Sequence, residues 1–168
     1  PEVVAAVGAG GASLRRAFHG AHGAFCVTAF WEHFSADRER AQAALEKACQ
    51  YVTQRRQFGH AVADYQLTQY RIGLMVARIA AARQLTYAAA RGFNTRAVEP
   101  AMAKLLACDV AVEVTQAAQQ LHGGWGYSEE DPISRYAVDA LVLPIFEGVK
   151  PILELRVIGR ALLAAAAS

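Results

Sequence analysis

The chain has 168 residues, 54% of them hydrophobic and 19% charged, with a formal net charge of +2. That is enough apolar material for one folded domain, and it argues against intrinsic disorder. No Lys/Arg block is present, since Arg15-Arg16 and Arg55-Arg56 are only pairs, so neither nucleic acid nor an anionic membrane is an expected partner.

Residues 1–12 are mostly small and glycine-rich, which predicts a linker or tail, followed by one helical domain over 13–168. A helix over 14–34 is interrupted by Gly20 and Gly23. Ser35 has the chemistry of an N-cap, with Asp37 and Glu39 in the first turn. From there Ala44, Leu45, Ala48, Tyr51 and Val52 make the stripe of an amphipathic helix, expected to end near Phe58-Gly59. The next helix starts near Asp64. Its apolar face is Leu67, Ile72, Met75, Val76, Ile79, Ala82 and Leu85, and Gly92 and Asn94 end it.

Glu99-Pro100 opens another helix, because proline suits a first turn, and this one runs through Leu121 to Gly123. Asp131-Pro132 opens a shorter helix to about Val142, and a last one runs from about Pro151 to Ala164. Long helices joined by short loops predict an all-α fold, an antiparallel bundle of four to five helices.

Cys26, Cys49 and Cys108 are far apart with no CxxC, the pattern of buried reduced thiols in a cytosolic (cytoplasmic) protein. No apolar run is long enough for a membrane span, and the N-terminus lacks signal-peptide order. An opening proline in place of methionine reads as a fragment or a processed chain. His19 and His22 are three apart, but no third ligand at metal spacing follows, so no metal site is expected.

Three segments invite chemistry, and each has a plain alternative. In Arg55-Arg56-Gln57-Phe58-Gly59, two guanidinium groups beside an aromatic ring suit a phosphate and a base; alternatively the arginines offset a helix dipole. In Gln120-Leu121-His122-Gly123-Gly124-Trp125-Gly126-Tyr127, one glycine would cap a helix. The others allow a ligand close to the backbone. Helix C-termini repel phosphate, so contacts there should come from the Gln120 amide and loop N–H groups. In Ile145-Phe146-Glu147-Gly148, a carboxylate among apolar residues suits a general base; alternatively it is a glutamate favoured at a helix start.

Together and in this order, the RxQFG, QxxGGxGY and FEG elements resemble the C-terminal helical domain of acyl-CoA dehydrogenases, over roughly residues 35–164. The stretches AQAALEKACQYVTQRRQFG, AMAKLLACDVAVEVTQAAQQLHGGWGY and DPISRYAVDALVLPIFEG carry it. The resemblance implies an enzyme that binds FAD across a subunit interface and oxidises the Cα–Cβ bond of an acyl-CoA or acyl-carrier-protein thioester. Glu147 matches the base that removes the α-proton. In relatives that carry the base on an earlier helix, the matching position here is Ala29, which leaves Glu147 as the candidate. Arg55, Gln57 and Phe58 match contacts to the FAD of a neighbouring subunit. Gln120, Gly123 and Gly124 match the positions at its pyrophosphate and adenosine end, and Gly148, beside the base, is counted among the cofactor-binding residues that the resemblance implies. A homodimer or tetramer is implied.

The chain departs from the family pattern at Val149 and Pro151, after the FEG, and at Val138, where an arginine is usual beside Asp139-Ala140. The family's N-terminal and middle domains have no counterpart here, so the chain alone is expected to be an incomplete catalyst. The alternative is a non-catalytic bundle serving oligomerisation and completing a partner's FAD site. A third reading, oxygen-using oxidation or hydroxylation, is disfavoured by the retained Glu147.

Overall fold

The structure is a computed structural model that describes residues 40–91, 98–146 and 148–167. The expected linker, the helix over 14–34, the Ser35 cap, the Gly92 and Asn94 stop, Cys26, Ala29 and Glu147 lie outside the described residues. Helix α1 covers 40–54. A hairpin follows, with β1 at Arg56–Gln57 and β2 at His60–Ala61, then a 3-10 turn at Val62–Asp64. Helix α2 is Gln66–Arg91, α3 is Val98–Leu121, and α4 is Ile133–Ala140. Helix α5 is continuous but changes pitch: Lys150–Ile152 and Arg160–Ala166 are α-helical, and Leu153–Gly159 between them is π-helical. The all-α class read from the sequence holds.

The described residues group into two compact units, one from 40–81 and 108–143, the other from 82–91, 98–107, 144–146 and 148–167. In the first unit, polar pairs show the helices running antiparallel. Arg71 on α2 bonds Gln120 on α3, and seven residues later Arg78 pairs with Glu113, seven residues earlier on α3. Likewise Lys47 and Arg40 on α1 pair with Asp131 and Asp139, before and within α4. These pairs are partly exposed, so they mark the register more than they stabilise it.

Apolar burial provides the energy, about 25 cal/mol per Å² removed from water. Ala41, Ala44, Leu45, Ala48 and Val52 of α1 are buried, as are Val110, Ala111, Val114 and Ala118 of α3 and Ile133, Ala137 and Ala140 of α4. The α1 stripe is the one expected. The α2 stripe differs: Leu67 and Val76 are exposed, and Thr68 lies buried in register with Met75 and Ile79.

In the second unit Ala89, Ala90, Ala101, Ala103 and Ala107 are buried. Thr86 is buried with them, its hydroxyl donating to the Ala82 carbonyl at 2.7 Å. A threonine that bonds its own helix can be buried without an orphaned hydroxyl.

One helix end differs from expectation and one start agrees with it. Helix α1 stops at 54, not near Phe58-Gly59. Its last bond runs from Arg55 N–H to the Tyr51 carbonyl, and the Arg55 carbonyl then accepts from Val62 N–H, closing the hairpin. Gly59 is therefore a turn residue, not a helix stop. At the other site, Asp131 Oδ1 accepts the Ile133 N–H at 2.9 Å, so Asp131-Pro132 opens α4 as read.

The three glycines after α3 are there for different reasons. Gly123 has φ +59, the left-handed cap that ends the helix. Gly126 is buried, and a Cβ on it would stand 2.1 Å from the Gln119 carbonyl oxygen. Gly124 needs neither: a Cβ there would meet nothing within 4 Å. Gly126→Ala should therefore lower unfolding free energy by about 2–3 kcal/mol in urea titration, an overpacking effect. Gly124→Ala should stay within about 0.5 kcal/mol of the parent.

Candidate functional site

The end of α3, the start of α2 and the chain after α1 surround a cavity of about 650 Å³. Five residues singled out from sequence line it: Arg55, Gln57, Gln120, Gly123 and Gly124. They are separated by more than sixty positions along the chain, and the antiparallel packing of the first unit brings them together.

Arg71, Thr68, Tyr51, Trp125 and Ser128 also line the cavity, and the sequence reading gave none of them a site role. Thr68 and Arg71 are three apart on α2, so they share a face. That spacing was the available signal, but the leucine and isoleucine beside them drew attention to the apolar face instead.

The polar groups of the cavity are held in place. Arg71 Nη1 donates to Gln120 Oε1 at 3.2 Å, which leaves the Gln120 amide N–H₂ as the donor available to a ligand. His122 is 2% exposed, its Nδ1 lies 2.7 Å from the Ala118 carbonyl, and its ring stacks on Tyr51 at 4.5 Å. It is a packing residue that ties α1 to the end of α3. Gln119 Nε2 reaches over to the Gly126 carbonyl at 2.9 Å and fastens the glycine turn.

The arrangement offers two guanidinium groups, one oriented amide and bare glycine backbone beside Val62, Leu67 and Trp125. Such a lining suits a phosphate-bearing ligand with a planar ring. No group of three or more His, Cys, Asp or Glu side chains that could hold a metal occurs among the described residues. Thiol chemistry is absent from the site: burial pushes the Cys49 thiol up, the Glu46 carboxylate adds to it, and Cys108 is buried against the Leu143 carbonyl.

Phe58 does not line the cavity. It sits at the hairpin tip, 93% exposed, with φ +53, and Gly59 follows at φ +84. Positive φ at both central residues is the geometry of a type I′ turn, which favours Asn-Gly. A phenylalanine there is strained. The hairpin is nevertheless well tied, with Gln57 paired to His60, Tyr65 Oη donating to the Gln57 carbonyl at 2.9 Å, and Asp64 accepting the Ala61 N–H at 3.0 Å. Gly148, at φ +102, belongs to the other unit.

Residues 33–163 match the family model described as acyl-CoA dehydrogenase, C-terminal domain. The chain belongs to the acyl-CoA dehydrogenase family. It is 42% identical over 126 residues to the short-chain specific acyl-CoA dehydrogenase of Megasphaera elsdenii, covering 73% of this chain and 33% of that protein. It is also 42% identical over 126 residues to the (2S)-methylsuccinyl-CoA dehydrogenase of Cereibacter sphaeroides, covering 73% of this chain and 23% of that one. Among solved structures, butyryl-CoA dehydrogenase from Megasphaera elsdenii matches with TM-score 0.75 and 37% identity, covering 84% of this chain and 38% of that chain. This acyl-CoA dehydrogenase segment thus spans about a third or less of the length of those relatives.

Two departures from the family pattern have local structural answers. Val138 is exposed, and Asp139 beside it pairs with Arg40 at 3.8 Å, so the aspartate keeps a cationic partner. Pro151 lies in the first turn of α5, where its missing N–H leaves no helical bond unmade.

Replacing Phe58 by Asn should relieve the turn and raise domain stability by about 1 kcal/mol. The rise should appear as a higher midpoint in urea titration. An unchanged or lower midpoint would show that Phe58 carries no strain at this turn.

Proposed function

We propose that this chain is the C-terminal part of a FAD-dependent acyl-CoA dehydrogenase, in which Glu147 removes the α-proton of an acyl thioester carried on CoA or an acyl-carrier protein. The supporting observation is the convergence of Arg55, Gln57, Gln120, Gly123 and Gly124 on one cavity whose chemistry fits the phosphates and adenosine end of FAD. Arg55 supplies positive charge at the edge of the cavity. The Gln120 amide, oriented by Arg71, supplies directed N–H donors. Gly124 leaves the space a side chain would fill. Phe58, on the outward-facing hairpin tip, is placed to meet a second subunit, which supports a homodimer or tetramer sharing its cofactor sites.

In this reading the thioester α-proton passes to the Glu147 carboxylate, and Gly148 beside it gives the backbone the turn that position needs. The hydride leaving Cβ needs an acceptor, which is the chemistry a bound flavin supplies. Cys49 and Cys108 are not joined in a disulfide, which supports the reducing, cytoplasmic setting of such an enzyme. No helix among the described residues is long and apolar enough to cross a membrane.

Glu147→Gln keeps the shape of the side chain and removes the base. Thioester-dependent flavin bleaching should fall by at least about 10³-fold in that variant, with FAD still bound. Undiminished bleaching would overturn the assignment of the base. Gly124→Leu should do the reverse, leaving folding intact and removing FAD from the purified protein; full flavin occupancy in that variant would make the glycine turn a cap only.

A further inference from the structure

Lys104 is only 7% exposed, in the middle of α3, with Ala101, Ala103 and Ala107 buried around it. Its ammonium donates to the carbonyl of Phe146 and, at 2.8 Å, to the carbonyl of Gly148. The same ammonium lies 5.7 Å from the centroid of the Phe146 ring. One buried cation thus grips the peptide groups on both sides of position 147 and touches the side chain just before it.

Burying an ammonium is expensive unless its donors are met, and a helix lined by alanine would be packed more cheaply by leucine or methionine. What lysine adds is a pair of charge-assisted bonds to two carbonyls, across a span that a single apolar contact cannot fix. Gly148 completes the device. Its φ of +102 is open to glycine, and a Cβ there would stand 3.3 Å from the Leu153 side chain. The Lys150 N–H, bonded to the Pro144 carbonyl at 3.0 Å, closes the loop that carries Phe146 and Gly148.

We propose that Lys104 is a positioning residue for the proton-abstracting base: by holding the Phe146 and Gly148 carbonyls it fixes the backbone of the residues that flank that base in the sequence. The proposal rests on Glu147 being that base. A base must sit within hydrogen-bond reach of the proton it takes, and displacement by about 1 Å lowers rate on the order of 10²-fold. The role is therefore in the chemical step, not in thioester or flavin binding.

The test compares Lys104→Met, Lys104→Arg and Glu147→Gln in the flavin-loaded enzyme, with a saturated acyl-CoA as probe. Lys104→Met should lower kcat by about 10- to 100-fold and leave KM within about threefold. Exchange of the thioester α-proton with D₂O should slow in parallel, a readout that does not depend on flavin reduction. Amide hydrogen exchange in the peptide over 144–150 should speed up. Lys104→Arg, which keeps the donors and the charge, should recover most of the loss; if arginine does not fold in the alanine-lined space, Lys104→Gln, which keeps donors alone, takes its place.

Equal kcat and α-proton exchange in Lys104→Met would overturn the proposal. So would a loss of kcat that follows only the loss of folded protein, with no recovery in the conservative variant. Full α-proton exchange in Glu147→Gln would instead overturn the base. A silent Lys104→Met beside an inactive Glu147→Gln leaves the base standing and removes the positioning role.

Discussion

At the end of α3 the backbone of Gly126 lies so close to Gln119 that a single added carbon would stand 2.1 Å from the carbonyl oxygen. That approach folds the chain back over the helix it has just left, and the rest of the site follows from it. The turn needs Gly123 in a left-handed conformation to begin, and it is fastened by the Gln119 side chain on the Gly126 carbonyl. With both ends fixed, Gly124 stands between them, with open space where a side chain would be. The same closure sets Gln120 where Arg71 takes its oxygen, and His122 where Tyr51 stacks on it. A helix C-terminus is a poor place for an anion. Here the dipole is opposed by Arg55 and Arg71, which come from other elements.

The hairpin after α1 shows a different balance. Its strands are only two residues each, too short to be stable alone. They persist because Tyr65 and Asp64 bond back to them from the start of α2. On that support the sequence places phenylalanine where asparagine would be easier, and leaves it in solvent. Strain of this kind persists where the surrounding structure over-determines it, and it is found preferentially at ligand clamps and interfaces. Gly126 is the opposite case, since its requirement lies wholly within its own chain.

Much of this was legible in the sequence, and the gaps have physical causes. The α1 stripe, the proline-led start of α3 and the Asp131 cap were readable because each depends on neighbours three or four residues away. The hairpin was not, because RRQFGHA carries neither strand alternation nor Asn-Gly, and its turn is stabilised by residues that come later. The α2 face was misread at Leu67 and Val76, since a threonine can enter a helical core by bonding its own backbone, as Thr86 does. At the site, glycines and the paired arginines drew notice as local oddities. Arg71 and Lys104 did not, because a basic residue within a helix looks the same in sequence whether it faces water or holds a partner across the fold.

Relatives of equal identity carry names for quite different acyl groups, a short-chain acyl-CoA in one and (2S)-methylsuccinyl-CoA in another. A segment that resembled its relatives through the acyl pocket would not be equally close to both. Three features of this chain are local to it: a glycine that only glycine can occupy, a cavity lined by two guanidinium groups, and a lysine on two peptide carbonyls. The first and last are constraints on backbone position. Lys104 holds its loop through the carbonyls of Phe146 and Gly148, and a backbone contact is indifferent to the side chains that change around it.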